Sequence, residues 1–317
     1  MDLLVQDTSG WQWSSPQNGL SWRWVGSRLS EHAKVATTME SVTTDLSTSI
    51  SELYADAASL RPGDTEAERL VIEAIDLLDR GAERVAEVDP VTGEVVVHQW
   101  LKEAILLLFR LRSIETVTDG PFEYADKLPL KRGYQEAGVR VVPGASARWG
   151  SYLAPGVVLM PSYVNIGARV GERSMVDTWA TVGSCAQIGS DVHLAGGVGI
   201  GGVLEPPNAS PVIIEDEAFI GSRCMVVEGA RVGRGAVLGA GTILNPSIPV
   251  IDAKTGVEVS RGVVPAWSVA VGASRRREFS GGEFFLPCVL ILETLTEGER
   301  HDKAQLNDVL RDHGVAT

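Results

Sequence analysis

The stretch Val170-Gly171-Glu172-Arg173-Ser174-Met175-Val176-Asp177-Thr178-Trp179-Ala180-Thr181-Val182-Gly183-Ser184-Cys185-Ala186-Gln187-Ile188-Gly189 decides the fold. Aliphatic residues stand at 170, 176, 182 and 188, six apart, and glycine follows three of them. The sixes run back through Val164 and forward through Leu194 and Ile200. Before them, one residue later in phase, come Val141, Ala147, Leu153 and Leu159; beyond an interruption at 201–213 come Ile214, Ile220, Val226, Val232, Leu238, Leu244 and Val250. Of these 18 anchors 17 are Val, Ile or Leu, whereas a 44% hydrophobic composition would place any apolar residue at only about eight of them. Neither a helical nor a heptad period gives sixes, so the pattern predicts a parallel β-helix of hexapeptide type.

Geometry follows from the period. Three hexads close one triangular coil, coils stack ~4.8 Å apart, and each anchor points inward while its neighbours point out. The segment from Gly202 to Pro211 must loop outward, and loops on a rigid scaffold are where sites are built. Residues 252–259 read as a second excursion, a hairpin. The chain divides into an extension of no assignable role (1–38), an α+β domain (39–136), the β-helix (137–272, with loop 201–213) and a C-terminal segment (273–317). Within the α+β part, Val71, Ala74, Ile75 and Leu78 mark a helix over 66–80, Asp89-Pro90-Val91-Thr92-Gly93 a hairpin turn, and 98–112 a second helix. The C-terminal segment carries a strand over 284–292 and a helix over 302–311.

Composition narrows the function. The 317 residues hold 41 Asp+Glu against 28 Lys+Arg, a net charge of −13, which argues against general nucleic-acid binding. The apolar run Ala104–Phe109 is far short of the ~20 residues of a membrane span. The N-terminus lacks a basic secretory n-region, and three cysteines without a CxxC pair fit a reducing cytosol, so the expected location is cytoplasmic. His193 alone among five histidines falls in the coils, so no three-ligand metal site is expected. His193 could serve as a base or simply pack on the surface. Cys185 sits at a coil corner, where an acyl-cysteine would need an activating base the sequence does not show, and Cys224 fills a small, buried slot. The run from Gly197 to Gly202 looks like a dinucleotide loop, but it stays in phase with the hexads and no helix follows, so its glycines serve tight coil turns.

Two charged residues stand apart from the repeat's needs. Arg140 precedes anchor Val141 and Asp177 follows anchor Val176, both facing outward on one face two coils apart, roughly 10 Å by rung spacing. Such a pair could bracket a zwitterion or be a solvated or cross-subunit ion pair.

The blocks Met160-Pro161-Ser162-Tyr163-Val164-Asn165-Ile166-Gly167, Met175 to Gly189 and Gly196-Gly197-Val198-Gly199-Ile200-Gly201-Gly202-Val203-Leu204-Glu205-Pro206 closely resemble the tetrahydrodipicolinate N-succinyltransferases of lysine and diaminopimelate synthesis. The likeness extends over roughly residues 65–312. It implies a left-handed β-helix, a homotrimer with active sites between subunits, succinyl-CoA as co-substrate with no tightly bound cofactor or metal, and L-2-amino-6-oxopimelate as acceptor. By the same resemblance Arg140 and Asp177 bind substrate, Asp177 holding the amine. The family glutamate sometimes proposed as catalytic corresponds to Met225, which leaves Glu228 as its substitute, and family basic residues late in the chain are replaced by Glu293-Thr294. Arg275, Arg276 and Arg277 form the nearest basic cluster for CoA phosphates. These departures keep open a paralogue using acetyl-CoA or a related amino acid, and a trimeric scaffold without catalysis. Both proposed substrates are anionic, so an acidic chain must line its site locally with arginine; Arg140, Arg223, Arg231, Arg234 and Arg275–Arg277 are the places to look.

Overall fold

In the computed structural model, residues 11–14, 21–24 and 45–296 are described; the expected helix over 302–311 and most of the 1–38 extension lie outside them. The chain forms two units, 1–49 and 50–317. In the first, Trp11–Ser14 pairs antiparallel with Ser21–Trp24, setting Trp11 opposite Trp24 and Trp13 opposite Trp22.

The second unit is dominated by the coil. Its two-residue strands stack in parallel on three faces. Face I holds Arg140–Val141, Val158–Leu159, Met175–Val176, His193–Leu194, Phe219–Ile220 and Val237–Leu238; face II runs from Ser146–Ala147 to Ile243–Leu244, and face III from Tyr152–Leu153 to Val263–Val264. In each pair the second residue is the anchor, and from Ala147 through Leu244 every anchor is no more than 2% exposed. The five-residue step from Leu159 to Val164 is absorbed in the corner, because Val164 still stacks between Ala147 and Val182.

Glycine after an anchor is demanded by the neighbouring rung. A Cβ on Gly183 would lie 2.1 Å from the Gly202 nitrogen, and one on Gly171 2.4 Å from the Gly189 carbonyl carbon.

One anchor is corrected. Val250 is buried, but it pairs with Ser260 and Val289 rather than with Val232. The chain leaves the coil after Leu244 through the antiparallel pair Pro249–Asp252 and Glu258–Arg261, and Val264 takes the face III slot above Val232. The second excursion, expected over 252–259, begins earlier, directly after Leu244, and carries Val250 out of the coil with it.

Val269 and Ala270 then stack on Val237 and Leu238, but the strand Ser268–Phe279 does not turn the corner. It runs on past position 272, pairs antiparallel with Gly282–Thr294, and projects a hairpin beyond the edge where the coils below turn from face I to face II. A helix α1 (residues 45–55) precedes two helices that lie against the coil, α2 (Thr65–Asp79) and α3 (Gln99–Leu111), and Ser51 Oγ donates to Glu103 Oε2 on α3. Asp64 caps α2 by accepting from the Ala67 N–H at 3.2 Å. The predicted stripe Val71, Ala74, Ile75 and Leu78 is its buried face. At its end Asp76 accepts from Trp149 Nε1 and Asp79 from the Gly150 N–H, which ties the helix to the coil.

Candidate active site

The edge between faces I and II is built of corner turns, one per rung. Thr178 C=O accepts from Gly197 N–H, and Gly196 C=O accepts from Arg223 N–H, so Trp179, Gly197 and Arg223 occupy successive corners of one ladder. The corner conformation is left-handed: Trp179 has φ 59° and Arg223 φ 60°, ground that side chains rarely occupy. An indole 77% exposed in that conformation is not explained by packing. Between Trp179 and Arg223 the glycines leave a notch, since a Cβ on Gly196 would meet only Thr178 O at 3.5 Å, and one on Gly197 only Arg223 Cγ at 3.4 Å.

Asp177 sits at the lip of this notch. Its Oδ1 accepts from Thr178 N at 2.7 Å and from Thr178 Oγ1 at 3.3 Å. Its Oδ2 faces His193 Nε2 at 3.5 Å, the outer edge of hydrogen-bond reach. Burial works to raise its carboxyl, but the hydrogen bonds from Thr178 and the imidazole outweigh it and hold the group below its ordinary value. Asp177 is therefore an ionised acceptor across the physiological range, with both oxygens oriented and about a third of the side chain open to solvent.

Register places Val141 below Leu159 and Leu159 below Val176, so Arg140 stands two rungs from Asp177 on face I. Glu228 stands elsewhere. It occupies the next edge, between faces II and III, beside the excursion loop, where Gly229 packs on Ser210 O. Within one chain it does not meet Asp177. Met225 is exposed on face II between Gly199 and Ile243, its thioether lying over Gly199.

Charge pairing separates the arginines. Arg231 pairs with Glu215, Arg234 with Glu217, Arg275 with Glu258, and Arg276 with Glu278 and Glu283. Among the described residues Arg140, Arg223 and Arg277 form no ion pair or side-chain hydrogen bond, and all three are exposed. Of the arginines singled out in the sequence, these three are left available to an anion.

The thiols are inert. Cys185 and Cys224 are fully buried, and burial pushes them up to about 12 and about 11, so neither offers a thiolate. No group of three or more His, Cys, Asp or Glu among the described residues could hold a metal. No helix among them is long and apolar enough to cross a membrane.

Of the site's parts, the indole at Trp179 and the clamp by Thr178 are not read from the repeat, because a corner's direction becomes visible only once rungs stack. The Asp177–His193 approach had a signal: their sixteen-residue separation is one eighteen-residue turn less two. Lys102 has no signal in the repeat. It is fully buried on α3, and its Nζ donates to Ala209 O at 2.7 Å and Pro206 O at 3.1 Å, pinning the excursion loop.

The coil and its charged edge are those of a hexapeptide-repeat acyltransferase. Residues 211–246 match the model described as the hexapeptide repeat of succinyl-transferase, and residues 45–111 the one described as tetrahydrodipicolinate N-succinyltransferase N-terminal. The 2,3,4,5-tetrahydropyridine-2,6-dicarboxylate N-succinyltransferase of Acinetobacter baylyi is 48% identical over 84% of this chain and 98% of its own length. That of Variovorax paradoxus is 46% identical over 86% of this chain and 100% of its own. A solved structure, described as a putative N-succinyltransferase of this kind from Campylobacter jejuni, is 18% identical, covers 73% of this chain and 64% of that one, and superposes with a TM-score of 0.43. The chain belongs to the tetrahydrodipicolinate N-succinyltransferase family.

Proposed function

We propose that this protein transfers the succinyl group of succinyl-CoA to the amine of ring-opened tetrahydrodipicolinate, L-2-amino-6-oxopimelate, in lysine and diaminopimelate synthesis. The observation that carries the reading is the edge itself: an ionised, oriented Asp177 open to solvent beside the notch, with guanidiniums at Arg140 and Arg223 that no carboxylate engages. That arrangement fits a molecule with one ammonium and two carboxylates. A neutral acceptor would have no use for it.

The chemistry requires the amine nitrogen to attack the thioester carbonyl carbon, the carbonyl to become an oxyanion, and the C–S bond to break. The ammonium gives up two protons in all: one to Asp177 before the attack, which passes on to solvent, and one after it, which ends on the CoA thiol. Asp177 accepts hydrogen bonds from the ammonium, orients it and takes its proton, a contribution typically of ~10²–10⁴-fold. Arg140 and Arg223 hold the carboxylates in fixed, charge-assisted pairs. Holding both partners in a ternary complex supplies much of the rest, so no covalent acyl-enzyme is needed. Backbone N–H groups of the glycine-rich edge stabilise the oxyanion. Arg277, on the projecting hairpin, is the member of the 275–277 cluster left to take a CoA phosphate. The working form is a cytoplasmic homotrimer with sites between subunits and no tightly bound cofactor; Arg140 and Asp177 then serve one ligand from neighbouring chains, and Glu228 enters only across that interface. Met225 cannot move a proton, so this reading gives the proton transfer to Asp177.

The test is CoA thiol release with succinyl-CoA or acetyl-CoA, with and without tetrahydrodipicolinate. Acceptor-dependent release favouring succinyl-CoA is expected. Preference for acetyl-CoA would make the chain a paralogue, and no acceptor-dependent release with either donor would leave a scaffold.

A further inference from the structure

We infer that His193 is the positioning residue of Asp177, holding the carboxylate as a neutral imidazole and switching the site off when it is protonated. This deepens the reading above and rests on it.

Three observations carry it. First, the imidazole reaches Asp177 from the next rung of the same face, Nε2 to Oδ2 at 3.5 Å, while Thr178 takes Oδ1. Each carboxylate oxygen thus faces a different group, Oδ1 the Thr178 donors of its own corner and Oδ2 the imidazole of the rung above. Polar contacts of this kind are often long without substrate and tighten in the reacting complex. Second, the ring is placed by packing: it meets Phe219, one rung above, edge to face with centroids 5.3 Å apart, and Met175 lies one rung below. Third, only about a quarter of the imidazole is open to solvent, so it is not free to swing away from Asp177.

The groups around His193 make Asp177 its electrostatic partner. Asp191 and Glu217, at the corners that lead into its own strand and the one above, are held by Arg173 and Arg234 respectively. A neutral imidazole can donate its Nε2 proton to Oδ2 and leave the carboxylate's charge free to hold the substrate ammonium. An imidazolium puts a positive charge against the same oxygen and competes with the ammonium for it. The Asp177 carboxyl itself is held below its ordinary range, so an acid limb near neutrality cannot come from its protonation.

The experiment is the pH dependence of kcat/KM of the full-length protein and of His193→Gln, whose amide keeps a donor but does not titrate. It is joined to NMR titration of 13Cε1-labelled histidines in the wild type and in Asp177→Asn. The substrate amine titrates alike in every variant, so only differences count. Expected is an acid limb in the wild type that is lost in His193→Gln while that variant keeps activity at pH 8 within about tenfold. Asp177→Asn lowers the His193 titration by about one unit. An acid limb that persists in His193→Gln, or a His193 titration that Asp177→Asn leaves in place, overturns the inference. Should the glutamine variant not fold, the NMR comparison decides alone. Wild-type protein without acceptor-dependent turnover would defeat the proposed reaction, while the NMR comparison would still decide the pair.

Discussion

His193 Nε2 stands 3.5 Å from Asp177 Oδ2, although the two residues belong to different turns of the chain. The six-residue period brings them together. Each rung returns the chain to the same face, and the outward residue of one strand overhangs the outward residue that ends the strand below. The same stacking puts Trp179, Gly197 and Arg223 on one edge.

Asp177→Asn keeps the shape and the Thr178 contacts but removes the charge that holds the ammonium. We expect kcat to fall at least tenfold, and up to the ~10²–10⁴-fold of a proton-transfer group, with the circular dichroism and the oligomer unchanged. Near wild-type turnover would remove Asp177 from the reaction.

Arg140→Ala and Arg223→Ala each remove a guanidinium that no carboxylate of the described protein engages, so neither should cost stability. The loss should appear in substrate binding. A charge-assisted hydrogen bond of about 1.5–3 kcal/mol corresponds to a roughly 10- to 100-fold fall in kcat/KM for the acceptor. Arg234→Ala, which removes a guanidinium already paired with Glu217, is the control and should change kcat/KM less than about threefold, as exposed ion pairs contribute ~1 kcal/mol or less.

Gly183→Ala places a methyl group 2.1 Å from the Gly202 nitrogen, against backbone that cannot move aside without parting two rungs. Overpacking of this kind costs about 1–3 kcal/mol or more. The expected readout is a lowered Tm. Gly241→Ala, where a Cβ meets nothing within 4 Å but φ is 74°, should cost less, by the roughly 1 kcal/mol of a left-handed alanine.

Lys102→Met leaves Pro206 O and Ala209 O without their donor in a buried place. Such orphaned groups cost about 1–3 kcal/mol each. Amide exchange should accelerate in 202–211 ahead of the coil, and unchanged exchange there would show that Lys102 does not hold the loop.

Cys185, Cys224 and Cys288 are all buried. At pH 8 the native protein should react with Ellman's reagent at none of them and keep full activity, whereas unfolded protein should yield three thiols. Rapid loss of activity on native alkylation would revive an acyl-cysteine path.

Much of this was legible in the residues. The sixes from Val141 to Leu244 gave the coil, its three faces and its inward anchors, because a buried column tolerates only aliphatic side chains. Asp177 and Arg140 were visible as charges the repeat does not need. Val250 keeps the count of six from Leu244, yet it belongs to the hairpin read over 252–259, whose first strand starts at Pro249, and no period reports where an excursion begins. Which arginines stay available was also hidden. Arg231 and Arg234 carry the same charge as Arg223, and only the rung below, with Glu215 and Glu217, shows that they are engaged.

The measurement that tests the central claim most directly is mass spectrometry of the acceptor after incubation with succinyl-CoA labelled in the succinyl group. The wild-type protein should produce labelled N-succinyl-2-amino-6-oxopimelate in step with thiol release, and Asp177→Asn should produce at least tenfold less at equal protein. Thiol release without labelled product, or equal product from both proteins, would contradict the account.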